Sequence, residues 1–165
     1  MLVLNAAEQR RRPITMLSAD DVTFQIDSGF RSAVDLCAAL LPAMGERGFG
    51  RLIAIGSVQS LRPNPNLVVY AAMKAALANM MRNIAKDWAG RGVTANTISP
   101  GLVATDRNAD LMADPAAYDA LLARIPVGRA ASPDEIAGLA LLLVSQAGGY
   151  ITGEEIMVNG GLGLP

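Results

Sequence analysis

The sequence predicts an α/β fold built on a parallel sheet. Short apolar runs of strand length alternate with longer stretches of helical periodicity along the whole chain, which is the pattern of strand–helix crossover units. The first run, LVLNA at 2–6, is continuous enough to read as a buried parallel strand. At 165 residues the chain fits one domain, and 52% hydrophobic residues suffice for a core. Only 18% of residues are charged, against roughly 25% in ordinary soluble domains, which points to extra buried surface.

The elements follow in order. After LVLNA a polar loop runs to about Leu17. Ser18-Ala-Asp-Asp reads as a helix N-cap with acidic residues in the first turn. Phe24, Ile26, Phe30, Val34, Leu36, Cys37, Leu40 and Leu41 continue at helical spacing, and Pro42 and Gly45 are expected to end that helix. RLIAIGS, 51–57, is the second strand, and 67–89 form a long alanine-rich helix stopped by Gly90 and Gly92. VTANTIS, 93–99, is the third strand, and 102–127 read as irregular chain or short helices. Pro133 opens DEIAGLALLLVS as a helix, with proline in the first turn. EIMVNGG, 155–161, is the last strand. Ligands of such sheets bind beyond the carboxyl ends of the strands, where Asn5, Ser57, Ser99 and Pro100 lie.

Composition excludes several chemistries. There is no histidine, so Ser-His-Asp and Cys-His catalysis and histidine metal sites are ruled out, and no metal is expected. The single cysteine, Cys37, excludes an internal disulfide and reads as a packed core residue. A net charge of −1 argues against nucleic acid as a partner, and the Arg10-Arg11-Arg12 run reads as a solvated loop. The basic block follows the first apolar run, the reverse of a secretory signal, and 136–153 are too polar and glycine-broken to span a membrane. A cytoplasmic, soluble protein is the expectation.

Tyr70 and Lys74 stand four residues apart, one helical turn, and so share a face. A free tyrosine has a pKa near 10 and is a poor acid or base at neutral pH; an ammonium beside it would lower that value. Ser57, at the end of the adjacent strand, could reach the same substrate oxygen. One group to move a proton, one to tune it and one to hold the oxygen suit hydride transfer at an alcohol or carbonyl carbon.

Ser57, then Tyr70 thirteen residues on, then Lys74, closely resembles the active site of the short-chain dehydrogenase/reductase family. Leu4-Asn5-Ala6-Ala7 is similar to that family's segment after its fourth strand, and Ser99-Pro100-Gly101-Leu102-Val103-Ala104-Thr105 to its Pro-Gly loop. Ser132-Pro133-Asp134-Glu135-Ile136-Ala137, Tyr150-Ile151-Thr152-Gly153 and Asn159-Gly160-Gly161 resemble its C-terminal signatures, so the likeness covers essentially the whole chain. It implies a Rossmann-like fold, with Tyr70 as general acid/base, Lys74 lowering its pKa and holding the nicotinamide ribose, and Ser57 orienting the substrate oxygen. It further implies that Asn5, Ala6, Pro100, Gly101, Val103 and Thr105, with Tyr70 and Lys74, line NAD or NADP. Helices at about 18–44 and 67–89 would pair in a homodimer or homotetramer.

The sequence departs from the family pattern at three places. Gly29 stands where a relay asparagine is usual and offers no side chain to hold a relay water; Ala7 replaces a glycine. No strand–glycine turn–helix for a pyrophosphate is found: Gly45-Glu-Arg-Gly48-Phe-Gly50 precedes a strand, and Gly160-Gly161-Leu-Gly163 has no helix after it. The chain therefore reads as a single domain, 1–165, that starts at the family's fourth strand, short of three strand–helix units or roughly 80–90 residues at about 30 per unit. LVLNA would then be a bare sheet edge. An oxidoreductase is the first reading; the alternative is a non-catalytic remnant that serves as an oligomerisation module. A third, a separate chain supplying the other half, has no support in the residues. For substrate, Gln59, Arg62 and Asn64, with Arg107, Asn108 and Tyr118 in the 105–126 loop, suggest a sugar or polyol-like molecule, with a 3-oxoacyl thioester as the runner-up.

Overall fold

The computed structural model describes residues 1–164. Four strands, β1 (Leu2–Leu4), β2 (Gly50–Ile55), β3 (Val93–Pro100) and β4 (Glu155–Val158), form one sheet in the order β1-β2-β3-β4. Every pair is parallel, with Leu2 opposite Leu52, Ile53 opposite Asn96 and Ser99 opposite Met157. The helices are α1 (Ala19–Ile26), α2 (Ser32–Glu46), α3 (Val68–Trp88), α4 (Ala109–Met112), α5 (Pro115–Leu122) and α6 (Pro133–Val144). None among the described residues is long and apolar enough to cross a membrane.

Strand alternation sorts the core onto two faces. Leu52 and Ala54 of β2 face α2 and α3, where Cys37, Leu41, Met44, Leu77 and Met81 close over them. Ile53, between them, points the other way and packs with Ile98 and with Leu143 of α6. The sheet is thus covered on both sides, as a parallel sheet requires. Cys37 is a core residue as expected, and burial pushes its thiol up to about 11. β1 is an edge strand, and Val3 on it is exposed.

The helix read as 18–44 begins where expected. Ser18 accepts from the Asp21 N–H, and the Asp21 carboxylate returns to the Ser18 N–H, a reciprocal cap. Two expectations for it fail. It is interrupted by a wide π turn, Asp27–Arg31, centred on buried Gly29. It also passes through Pro42 and Gly45 to Glu46. Pro42 sits on the exposed face, so the carbonyl of Ala38 that loses its partner can be hydrated. Leu41 and Met44 on either side are buried and hold the last turn on the sheet; each such burial contributes roughly 1.5–3 kcal/mol, enough to offset the proline.

Between β2 and the first candidate catalytic residue stands Gly56, whose N–H continues the ladder to the Ile98 carbonyl at 2.7 Å. A Cβ there would overlap Ser99 Oγ and lie 2.8 Å from Thr97 Cγ2. Neither neighbour can yield, because both side chains are fully buried. Gly56→Ala is expected to cost about 1–3 kcal/mol through overpacking, read as a lower urea midpoint with an unchanged slope. An unchanged midpoint would show that β3 retreats freely and that the packing at the strand end is loose.

Candidate active site

The carboxyl ends of β1, β2 and β3 open onto one cavity of about 810 Å³. Ser57 arrives there because β2 ends at Ile55 and the chain turns into a short 3₁₀ segment, Val58–Ser60, which Ser57 caps by accepting from the Gln59 N–H at 3.2 Å. Tyr70 and Lys74 arrive on one face of the first two turns of α3. All three side chains line the cavity, and so do Asn5, Pro100, Gly101, Val103 and Thr105. Ala6, which follows Asn5 beyond the end of β1, is not part of the wall.

Lys74 is buried and donates from Nζ to the Ile55 carbonyl at 2.5 Å, which ties α3 to the end of β2. Its Nζ lies 5.6 Å from the centre of the Tyr70 ring. Burial, helped by the positive Arg107, brings the Lys74 ammonium down to about 8. Tyr70 shifts the other way from the sequence expectation. Burial raises the phenol above its ordinary value, and a hydrogen bond from Ser57 and the charge of Arg107 oppose this only in part. The ammonium is turned to a backbone carbonyl rather than to the phenol, so here it is not what sets the tyrosine.

The remaining sequence candidates divide. Gln59, Arg62, Asn64, Arg107 and Asn108 line the cavity. Asn108 is spent on the Val103 carbonyl at 2.8 Å and so shapes the loop beyond β3. Tyr118 is not in the wall; it packs with Leu121 and Leu122 against Val58, Leu102 and Ile125, forming the apolar floor beneath it. Arg10-Arg11-Arg12 is not simply solvated: Arg10 and Arg12 reach Asp21 at 3.5 and 3.2 Å, and Arg11 faces the cavity. The pattern alone had no signal for this, because Asp21 was already accounted for as a helix cap.

Glu155 carries a second unforeseen role. Its carboxylate accepts from Ser99 Oγ at 2.8 Å, from Ser60 Oγ at 3.0 Å and from Arg82 at 2.8 Å. Ser60 Oγ also lies 2.7 Å from the Ser57 carbonyl, so one carboxylate on β4 braces the turn that presents Ser57. Ser99, which the strand-end rule placed near ligand, is consumed by this bracing and fully buried. Among the described residues no group of three His, Cys, Asp or Glu could hold a metal ion.

Comparison with known proteins bears on this arrangement. A family model described as Enoyl-(Acyl carrier protein) reductase matches residues 1–163. A tropinone reductase homologue of Arabidopsis thaliana is 34% identical, over 98% of this chain and 61% of its own length. The chain belongs to the short-chain dehydrogenase/reductase family. A gluconate 5-dehydrogenase of Gluconobacter oxydans is similar at 33% identity, with 98% of this chain and 62% of that protein covered. Among solved structures of the family, a 3-oxoacyl (acyl-carrier-protein) reductase from Agrobacterium tumefaciens with NADP bound superposes with a TM-score of 0.91 at 41% identity, covering 96% of this chain and 63% of that one. This short-chain dehydrogenase/reductase chain spans about three-fifths of the length of the curated relatives it matches.

Proposed function

We propose that the protein is an NAD(P)-dependent oxidoreductase that moves a hydride between the nicotinamide and an alcohol or carbonyl carbon of a small hydroxylated substrate. The observation that carries this is the meeting of Ser57, Tyr70 and Lys74 in one cavity at the carboxyl edge of the sheet. Tyr70 exchanges the proton of the substrate oxygen. Ser57 shares that oxygen. Lys74, anchored on the Ile55 carbonyl, keeps N–H donors free for ribose hydroxyls.

The donor set fits the nicotinamide end of NAD(P): an ammonium and a phenol above, with Asn5, Pro100, Gly101, Val103 and Thr105 around them. When bound, the cofactor supplies or accepts the hydride. Gln59 supports a substrate rich in hydroxyls, because its Oε1 is buried in the wall with no hydrogen-bond partner and so calls for a donor. That favours a sugar or polyol-like molecule over a 3-oxoacyl thioester. A homo-oligomer fits the exposed Phe24, Val34, Leu36 and Leu40 on α1 and α2.

The test is nicotinamide absorbance in the protein as its own gene expresses it, against polyols, the matching ketoses and a 3-oxoacyl thioester. Turnover of the hydroxylated set is the expected result. Oligomers without turnover of anything would favour the second reading, an oligomerisation module.

The 165 residues by themselves are expected to bind NADH and NADPH more weakly than micromolar. The cavity holds contacts for the nicotinamide end, whereas two phosphates need backbone N–H donors at a glycine turn and helix start, a motif this sequence does not contain. The exposed β1 edge should also make the material self-associate. Calorimetric titration and light scattering check both; micromolar binding by a monodisperse monomer would overturn the expectation.

A further inference from the structure

The cavity is strongly positive in a chain whose net charge is −1. Arg11, Arg62, Arg107 and Arg124 line it with Lys74, against the single carboxylate of Asp106. Two of these arginines have structural partners: Arg107 donates to the Ala7 carbonyl at 2.6 Å, and Arg62 to the Leu162 carbonyl. The side chains of Arg11 and Arg124 make no hydrogen bond or ion pair among the described residues, although the chain has 15 acidic side chains to offer.

Arg11 is not adrift on a mobile loop. The Arg10 N–H donates to the buried Gln25 side chain at 2.9 Å, and the Arg12 N–H donates to the Asn66 carbonyl at 3.0 Å. The side chains of Arg10 and Arg12 are both held by Asp21. The Arg12 N–H also reaches the Arg10 carbonyl at 3.2 Å, closing a tight turn with Arg11 at its apex. With its neighbours turned to α1, Arg11 is directed into the cavity. The tie to Asn66 also sets it against the loop that joins Ser57 to Tyr70, the same loop that brings Arg62.

We infer that the substrate carries a carboxylate, and that Arg11 is the residue that selects for it. The inference rests on the oxidoreductase reading above and narrows its substrate to a hydroxylated acid. A planar guanidinium pairs with a carboxylate through two parallel hydrogen bonds, which a neutral hydroxymethyl group cannot reproduce. Without the acid, the Arg11 guanidinium has no hydrogen-bond or ion-pair partner among the described residues. Arg107 is the wrong arginine for this task, because its field already reaches Tyr70 and Lys74 and its fork is used on Ala7.

The experiment compares D-gluconate with D-glucitol, which share a hydroxylated six-carbon chain and differ at the terminal carbon, together with an uncharged 3-oxoacyl thioester. Calorimetric titration of the protein without nucleotide should show gluconate binding at least about tenfold tighter than glucitol, as charge-assisted hydrogen bonds contribute about 1.5–3 kcal/mol. Arg11→Gln should remove that preference and raise KM for the acid about 10- to 100-fold with little change in kcat, while KM for the nucleotide stays within about twofold. Far-ultraviolet circular dichroism and urea midpoint of the variant should match wild type, since the exposed Arg11 side chain makes no hydrogen bond or ion pair among the described residues. Equal binding of acid and polyol, preference for the thioester, or a variant that loses nucleotide rather than acid would each overturn the inference. The two readings fail separately: binding preference without any turnover sinks the oxidoreductase reading alone, and turnover of neutral substrates without acid preference sinks this one alone.

Discussion

Tyr70→Phe is expected to lower kcat for carbonyl reduction by about 10²- to 10⁴-fold, the usual contribution of a positioned general acid. Nucleotide affinity should change little, because the ring and its packing remain and only the hydroxyl is lost. The pH profile carries the mechanism further. Burial holds the Tyr70 phenol above its ordinary value, so at neutral pH it is protonated and ready to donate in the reducing direction. The oxidising direction needs the phenolate and should climb with pH through the alkaline range. Ser57 opposes the shift by donating to the phenol, so Ser57→Ala should move that limb to higher pH as well as lower the rate. Stopped-flow single turnovers of the reductive half-reaction, in the protein as its own gene expresses it, measure the chemical step directly. A Tyr70→Phe protein with more than a tenth of the wild-type rate would remove Tyr70 from the mechanism. An oxidative rate that falls with pH would reverse the assigned protonation state.

Most of the fold was legible because its signals are local. Ser18 with its first-turn acids and Pro133 announce their helices, and in the fold Ser18 and Asp21 cap each other while the Glu135 carboxylate accepts from the Ser132 N–H. The apolar runs of β2 and β3 needed only length and composition. The π turn at Gly29 was not legible, because apolar spacing on either side continues almost as in an unbroken helix. Its surroundings are tertiary: Gly29 is buried against Met73 of α3 and Ala7, a Cβ there meeting Met73 Cε at 3.4 Å. The candidate site was legible as residue types and spacing, and Ser57, Tyr70 and Lys74 do meet. Its electrostatics were not. Proximity in sequence suggested that Lys74 governs the Tyr70 phenol, whereas burial dominates both groups and moves them in opposite directions. Nor could spacing reveal Glu155, which lies 95 residues from Ser60 and meets it only through sheet order.

Lys74→Met should abolish turnover and make the protein more stable at neutral pH. Lys74 is 4% exposed, and its ammonium falls from an ordinary 10.5 to about 8, chiefly through burial. Each unit of such a shift corresponds to about 1.4 kcal/mol, so holding this charge in place costs on the order of 3–4 kcal/mol below the shifted value. Methionine fills the same space without the charge. It forfeits the hydrogen bond from the ammonium to the Ile55 carbonyl, a loss of about 1.5–3 kcal/mol, leaving a net gain of about 1 kcal/mol. The sign with pH is fixed by which state holds the proton. Between about 8 and 10.5 the unfolded chain keeps the Lys74 proton and the folded chain has released it, so wild-type stability rises across that window. Below about 8 both states are protonated and the full cost is present. The advantage of Lys74→Met is therefore greatest at pH 7 and fades as the pH approaches 10. Arg107→Ala, which removes a cation whose field depresses the same ammonium, should recover part of the gain without touching Lys74. Urea midpoints for the three proteins at pH 7 and pH 9.5 test this. A Lys74→Met protein less stable than wild type at pH 7, or one whose advantage grows with pH, would mean that the ammonium is compensated in the folded state and that its burial is not a strain held for catalysis.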